Sequence, residues 1–116
     1  MKLKEIQELL SAHGLTGEEN PELEVFSAFS SDMMSDVLAF PKEHMVLLTG
    51  LINPQVMRTA DMLDIRMVVF VRGKVPNEET LEMARECGIS VLSTSHTMYI
   101  ASGILYTHGL YSQQQE

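Results

Sequence analysis

Residues 45–71 read MVLLTGLINPQVMRTADMLDIRMVVFV, and this stretch decides the fold. It begins with the apolar run MVLLT at 45–49 and ends with IRMVVFV at 65–71. Both runs are apolar at consecutive positions, as strands buried on both faces are, whereas a half-solvated strand would alternate. Between them, Asn53-Pro54 offers a side-chain acceptor followed by proline in the first turn of a helix expected over 54–63. The result is a β-α-β unit of the kind that builds parallel sheets.

The same rhythm extends in both directions. Residues 24–29 (EVFSAF) and 89–92 (ISVL) read as further strands, with helices expected at 31–39, 77–87 and 96–107. Asn77 caps the run EETLEMAREC and Gly88 terminates it. Toward the N-terminus, Leu3, Ile6, Leu9 and Leu10 recur at helical spacing, predicting an amphipathic helix over 2–12 with Gly14 as its C-terminal cap. The acidic run TGEENPELE that follows reads as a solvated loop, and residues 112–116 as a frayed polar tail. The expected architecture is one α/β domain over 1–116, with a mostly parallel sheet of four or more strands flanked by helices.

Composition narrows the function. The chain has 116 residues, 8 Lys+Arg against 16 Asp+Glu and a net charge of −8, which argues against non-specific nucleic-acid binding, since that needs a cationic face. The N-terminal decapeptide MKLKEIQELL is amphipathic rather than signal-like, and no apolar run reaches the length of a membrane span. A cytoplasmic protein without membrane association is expected. Cys87 is the sole cysteine, so neither an intrachain disulfide nor a thiolate metal cluster can form. At a helix C-terminus its thiol pKa should be raised, which disfavours a nucleophile. G-x-G-x-x-G, Walker and G-x-S-x-G patterns are absent, and no cofactor is expected.

In an open parallel sheet, ligands bind beyond the carboxyl ends of the strands. The residues expected there are Ser30, Ser31 and Asp32, then Thr49, Gly50 and Asn53, then Arg72, Gly73 and Lys74, and finally Thr94, Ser95 and His96. They combine hydroxyls, glycines that admit close approach, two cations and a histidine, with the helices starting near Asn53 and His96 as further anion donors. Such a rim suits a small anionic ligand or a nucleotide, although Ser, Thr and Asn are also ordinary capping residues.

Two other readings compete. Met33, Met34, Met98, Tyr99, Tyr106 and Tyr111 could furnish an adaptable apolar contact for a homodimer or a regulatory protein partner, with no small-molecule ligand. Asp32 and Asp36, four apart on an expected helix, could join His96 in acid–base or metal chemistry, but no orienting partner or metal-ligand spacing accompanies them.

The stretches at 29–40 (FSSDMMSDVLAF) and 45–94 (MVLLTGLINPQVMRTADMLDIRMVVFVRGKVPNEETLEMARECGISVLST) resemble the DRTGG domain family, the likeness covering roughly residues 3–108. It rests on the Thr49-Gly50 turn, on Pro76 leading into an acidic helix start, and on the Gly88-Ile89-Ser90-Val91 turn. Where the family places Asp-Arg this chain reads Ile52-Asn53, and where it places Thr-Gly-Gly this chain reads Val71-Arg72-Gly73. The resemblance implies a fold like the N-terminal domains of HPr kinase/phosphorylase and Mur ligases. It also implies a regulatory, non-catalytic role, and a stand-alone bacterial subgroup found in gene neighbourhoods of iron-only hydrogenases.

Overall fold

The computed structural model describes residues 1–111. In chain order the elements are α1 (Leu3–Leu9), β1 (His13–Gly14), β2 (Ser27–Ser30), α2 (Met34–Ala39), β3 (Met45–Thr49), α3 (Gln55–Met62), β4 (Met67–Phe70), α4 (Glu78–Cys87), β5 (Ser90–Ser93) and α5 (Met98–Thr107). The sheet order is β1-β5-β4-β3-β2, parallel from β2 to β5, with β1 antiparallel on β5.

Because successive parallel strands lie side by side, right-handed crossovers place their connecting helices on one face. Side chains alternate accordingly. Leu47, Val68, Phe70 and Val91 meet α2, α3 and α4, whereas Val46, Leu48, Val69 and Leu92 meet α1 and α5. β3, β4 and β5 are buried along their whole length, which is why their sequences show no alternation.

The expected elements are all present with shifted ends. The first helix stops at Leu9, and Ser11, not Gly14, takes the left-handed conformation (φ 50°) of a Schellman ending: Ser11 N–H donates to Glu8 C=O and Ala12 N–H to Gln7 C=O. Gly14 instead lies in β1, its Cα pressed against the Glu19 carboxylate with no room for a side chain. The strand expected at 24–29 begins at Ser27, since Val25 N–H is claimed by Met1 C=O and Glu24 bridges Lys2. Asn77 and Gly88 (φ 72°) cap α4 as their residue types dictate, the Asn77 side chain accepting Thr80 N–H at 2.9 Å. Residues 112–116, expected to fray, lie outside the described residues.

Candidate functional site at the strand ends

With β2 to β5 parallel, Ser30, Thr49, Phe70 and Ser93 end at one edge, and the four loops that follow share it. The connection leaving β4 runs to α4 on one face of the sheet and that leaving β5 runs to α5 on the other. Diverging connections of this kind create the crevice where open α/β sheets bind ligands.

The loops are laced together. Asp32 does not belong to α2, which starts two residues later without a side-chain cap; it accepts Gly50 N–H at 2.7 Å and the Thr49 hydroxyl at 3.2 Å. The shared helix face expected for Asp32 and Asp36 is therefore absent. Arg72 and Gly73 form a tight turn with φ of 58° and 67°, closed by Lys74 N–H on Val71 C=O at 3.1 Å. Arg72 N–H donates to His96 C=O at 2.7 Å and Gly73 N–H to Thr94 C=O at 2.8 Å. The amides of this turn are spent on the neighbouring loop, so any anion here must be met by side chains.

Several expected site residues are committed to the scaffold. Ser30 shares a 2.7 Å hydrogen bond with Ser102 of α5, and Ser31 accepts Met33 N–H at 2.9 Å. Buried Thr94 donates to Leu10 C=O at 2.7 Å, tying the edge to the end of α1. Asn53 accepts Gln55 N–H at 3.0 Å, which occupies a donor of α3. His96 does not open α5; Thr97 caps that helix by accepting Ile100 N–H at 3.3 Å. The two helix starts favoured for an anion thus already hold part of their capping chemistry.

Arg72 and Lys74 are different. Lys2 and Lys4 pair with Glu22, Arg66 with Asp61 and Asp64, and Arg85 with Glu78 and Glu82. Among the described residues, Arg72 and Lys74, like Arg58 on α3, make no ion pair although all three are exposed in a chain of net charge −8, and of the three only Arg72 and Lys74 lie at the strand-end edge. The Arg72 guanidinium lies directly over the Cα of Gly50, and only glycine leaves space for it. Asp32, Thr49, Gly50 and Arg72 form one cluster, and Lys74 and His96 follow along the same edge. A planar guanidinium with unspent donors is suited to a phosphate or carboxylate.

No hydrogen bond joins the His96 ring to Asp32 or Asp36, and no three His, Cys, Asp or Glu side chains converge among the described residues. The Cys87 thiol pKa is raised, first by burial and then by the charge of Asp61. Of the surface residues proposed for contacts, Met34 is core and packs with Val37 under α2, and Met98 is half-buried.

A concavity of about 790 Å³ lies at the opposite, N-terminal edge between Glu24, Lys42, His44, Asp64 and Arg66. Sequence reading had no means of finding it, because its walls are loop residues brought together by strand starts. Its arginine is engaged: Arg66 donates to Cys87 C=O and pairs with Asp61 and Asp64, closing the end of α4 onto β4.

No helix among the described residues is long and apolar enough to cross a membrane. No family model matches the chain, and no curated protein matches it in sequence. The fold is that of a small α/β domain of the DRTGG-like kind. It is seen in the crystal structure of the CBS and DRTGG domains of the regulatory region of Clostridium perfringens pyrophosphatase, complexed with its activator, diadenosine tetraphosphate. The two superpose with a TM-score of 0.73 at 19% identity, over 99% of this chain and 52% of that one. The chain therefore spans about half the length of its structural neighbour, and the likeness is one of fold.

Proposed function

We propose that this chain is a non-catalytic regulatory module that binds a small anionic metabolite or nucleotide at the C-terminal edge of its parallel strands and passes the response to a partner. The observation that carries the reading is Arg72. It holds a left-handed backbone conformation that costs a non-glycine residue about 1–2 kcal/mol, and its guanidinium rests on Gly50 without a carboxylate partner. A cation placed at such cost and left unspent, beside Lys74, is available to an incoming anion. The regulatory setting of the structural neighbour, whose complex contains a nucleotide activator, supports the same class of role.

Thermal unfolding with inorganic phosphate, pyrophosphate, AMP, ATP and diadenosine tetraphosphate tests it. A binding anion should stabilise the native state by about 2.7 kcal/mol at a hundredfold excess over Kd. The shift should vanish in Arg72→Ala and shrink in Lys74→Ala. No response to any of these anions, or a response that survives Arg72→Ala, overturns the proposal.

A further inference from the structure

The C-terminal part of the chain carries a feature that the strand-end site does not use. Residues 87–115 contain no Asp, Glu, Lys or Arg, so the whole excess of negative charge belongs to the rest of the molecule. Within this stretch α5 exposes Tyr99 (86%), Tyr106 (54%) and Ile100 (45%), while burying Ala101 and Leu105 against the sheet. A helix that buries one apolar face and leaves large apolar side chains exposed on another has a second face to cover. Tyr111 (45% exposed) stands edge-on to Tyr106 at 4.8 Å between ring centroids, extending the patch.

We infer that α5, with the free edge of β2 beside it, is the contact surface between two copies of this chain. Three observations favour a second copy. First, with a net charge of −8, two copies repel through their acidic faces, and α5 offers a surface on which like can meet like. Second, protrusion and recess lie side by side, as a two-fold interface requires. Tyr99 projects from the same helix as Gly103, around which there is open space, while Tyr106 and Tyr111 wall a cleft of about 250 Å³ between α5 and β2. Third, the patch supplies a substantial share of the area an interface needs. At roughly 200 Å² per aromatic side chain, Tyr99, Tyr106 and Tyr111 alone expose about 370 Å², nearly half of the ~800 Å² that each partner buries in a standard interface. β2 is the terminal strand of the sheet, so its outer edge is open to pairing across the same axis.

Sedimentation equilibrium of the purified chain should give twice the 13.0 kDa protomer mass. Gly103→Arg places a long cation in open space on the helix and should strengthen the isolated helix, so its thermal melt should stay cooperative while the mass falls to that of the monomer. Tyr99→Glu should act likewise. Met62→Glu, an exposed methionine at the far end of α3, should remain a dimer. A wild-type monomer at high micromolar concentration overturns the inference. So does a dimer indifferent to Gly103→Arg and Tyr99→Glu, or one equally lost in Met62→Glu.

Discussion

The carboxylate of Asp32 accepts the backbone N–H of Gly50 across 2.7 Å, fastening the loop after β2 to the loop after β3. One bond therefore sets the floor on which the Arg72 guanidinium rests. Asp32→Ala should cost about 1 kcal/mol, below the range of about 1.5–3 kcal/mol for a bond to a charged group because Asp32 faces solvent, whereas Asp32→Asn keeps an acceptor and should cost less. Urea denaturation of both variants measures the difference.

Gly50→Ala separates stability from site geometry. The added methyl meets only the mobile end of Arg72, so unfolding free energy should change by less than about 0.5 kcal/mol. Titration with whichever anion stabilises the wild type should show affinity falling several-fold, since the guanidinium must move.

Arg72→Gly should raise stability by about 0.5–1 kcal/mol, because glycine adopts the left-handed conformation without the steric cost and repays part of that gain in chain entropy. Arg72→Ala keeps the strain and should show no such gain. Chemical denaturation of the pair separates a strained site residue from a turn residue that merely tolerates its position.

Thr94→Val should destabilise by about 1–2 kcal/mol, as the buried carbonyl of Leu10 loses its 2.7 Å donor and His96 N–H loses its 3.3 Å acceptor. For a domain of this size that corresponds to a fall in Tm of roughly 5 °C per kcal/mol. The result would assign Thr94 to the scaffold rather than to a ligand.

Glu19 supplies a pH dependence. Partial burial opposes its ionisation, but the hydroxyl and amide of Thr16, at 2.6 and 2.8 Å, outweigh it and hold the pKa below the ordinary 4.5. A depressed folded-state pKa contributes stability above the unfolded value, and that contribution is lost as pH falls through the folded one. Glu19→Gln should therefore lose about 1 kcal/mol at pH 7, after allowance for solvent screening. The gap to wild type should narrow below about pH 4.5 in parallel denaturation curves.

Local chemistry explains which parts of this were legible in the sequence. Asn77, Gly88 and the unbroken runs MVLLT and MVVF act on neighbours within a few residues, and each sits where its type requires. β1 escaped because two residues, His13 and Gly14, carry no periodicity; only their pairing with Leu92 and Ser93 makes them a strand. Asp32 looked like a helix-start residue because its partners, 17 and 18 positions away, are invisible until the strands are side by side. The twelve candidate residues follow directly from the strand ends, but their division into fasteners such as Thr94 and uncommitted cations such as Arg72 depends on long-range hydrogen bonds. Met34 was misplaced on the surface because its flexible thioether suits a core as well as an interface.

The strand order also governs how the chain can assemble. β2, β3 and β4 each pair with the next strand in sequence through a single helical crossover, so that block closes with contacts of modest sequence separation. The exception is the N-terminal segment, whose β1 reaches β5 and whose Leu10 carbonyl is held by Thr94 from 84 residues away. Closing that span is the most expensive entropic step in the topology. α1 and β1 should consequently dock last and open first, as a latch whose release bares the core face that α1 covers and frees Thr94 at the C-terminal strand edge together.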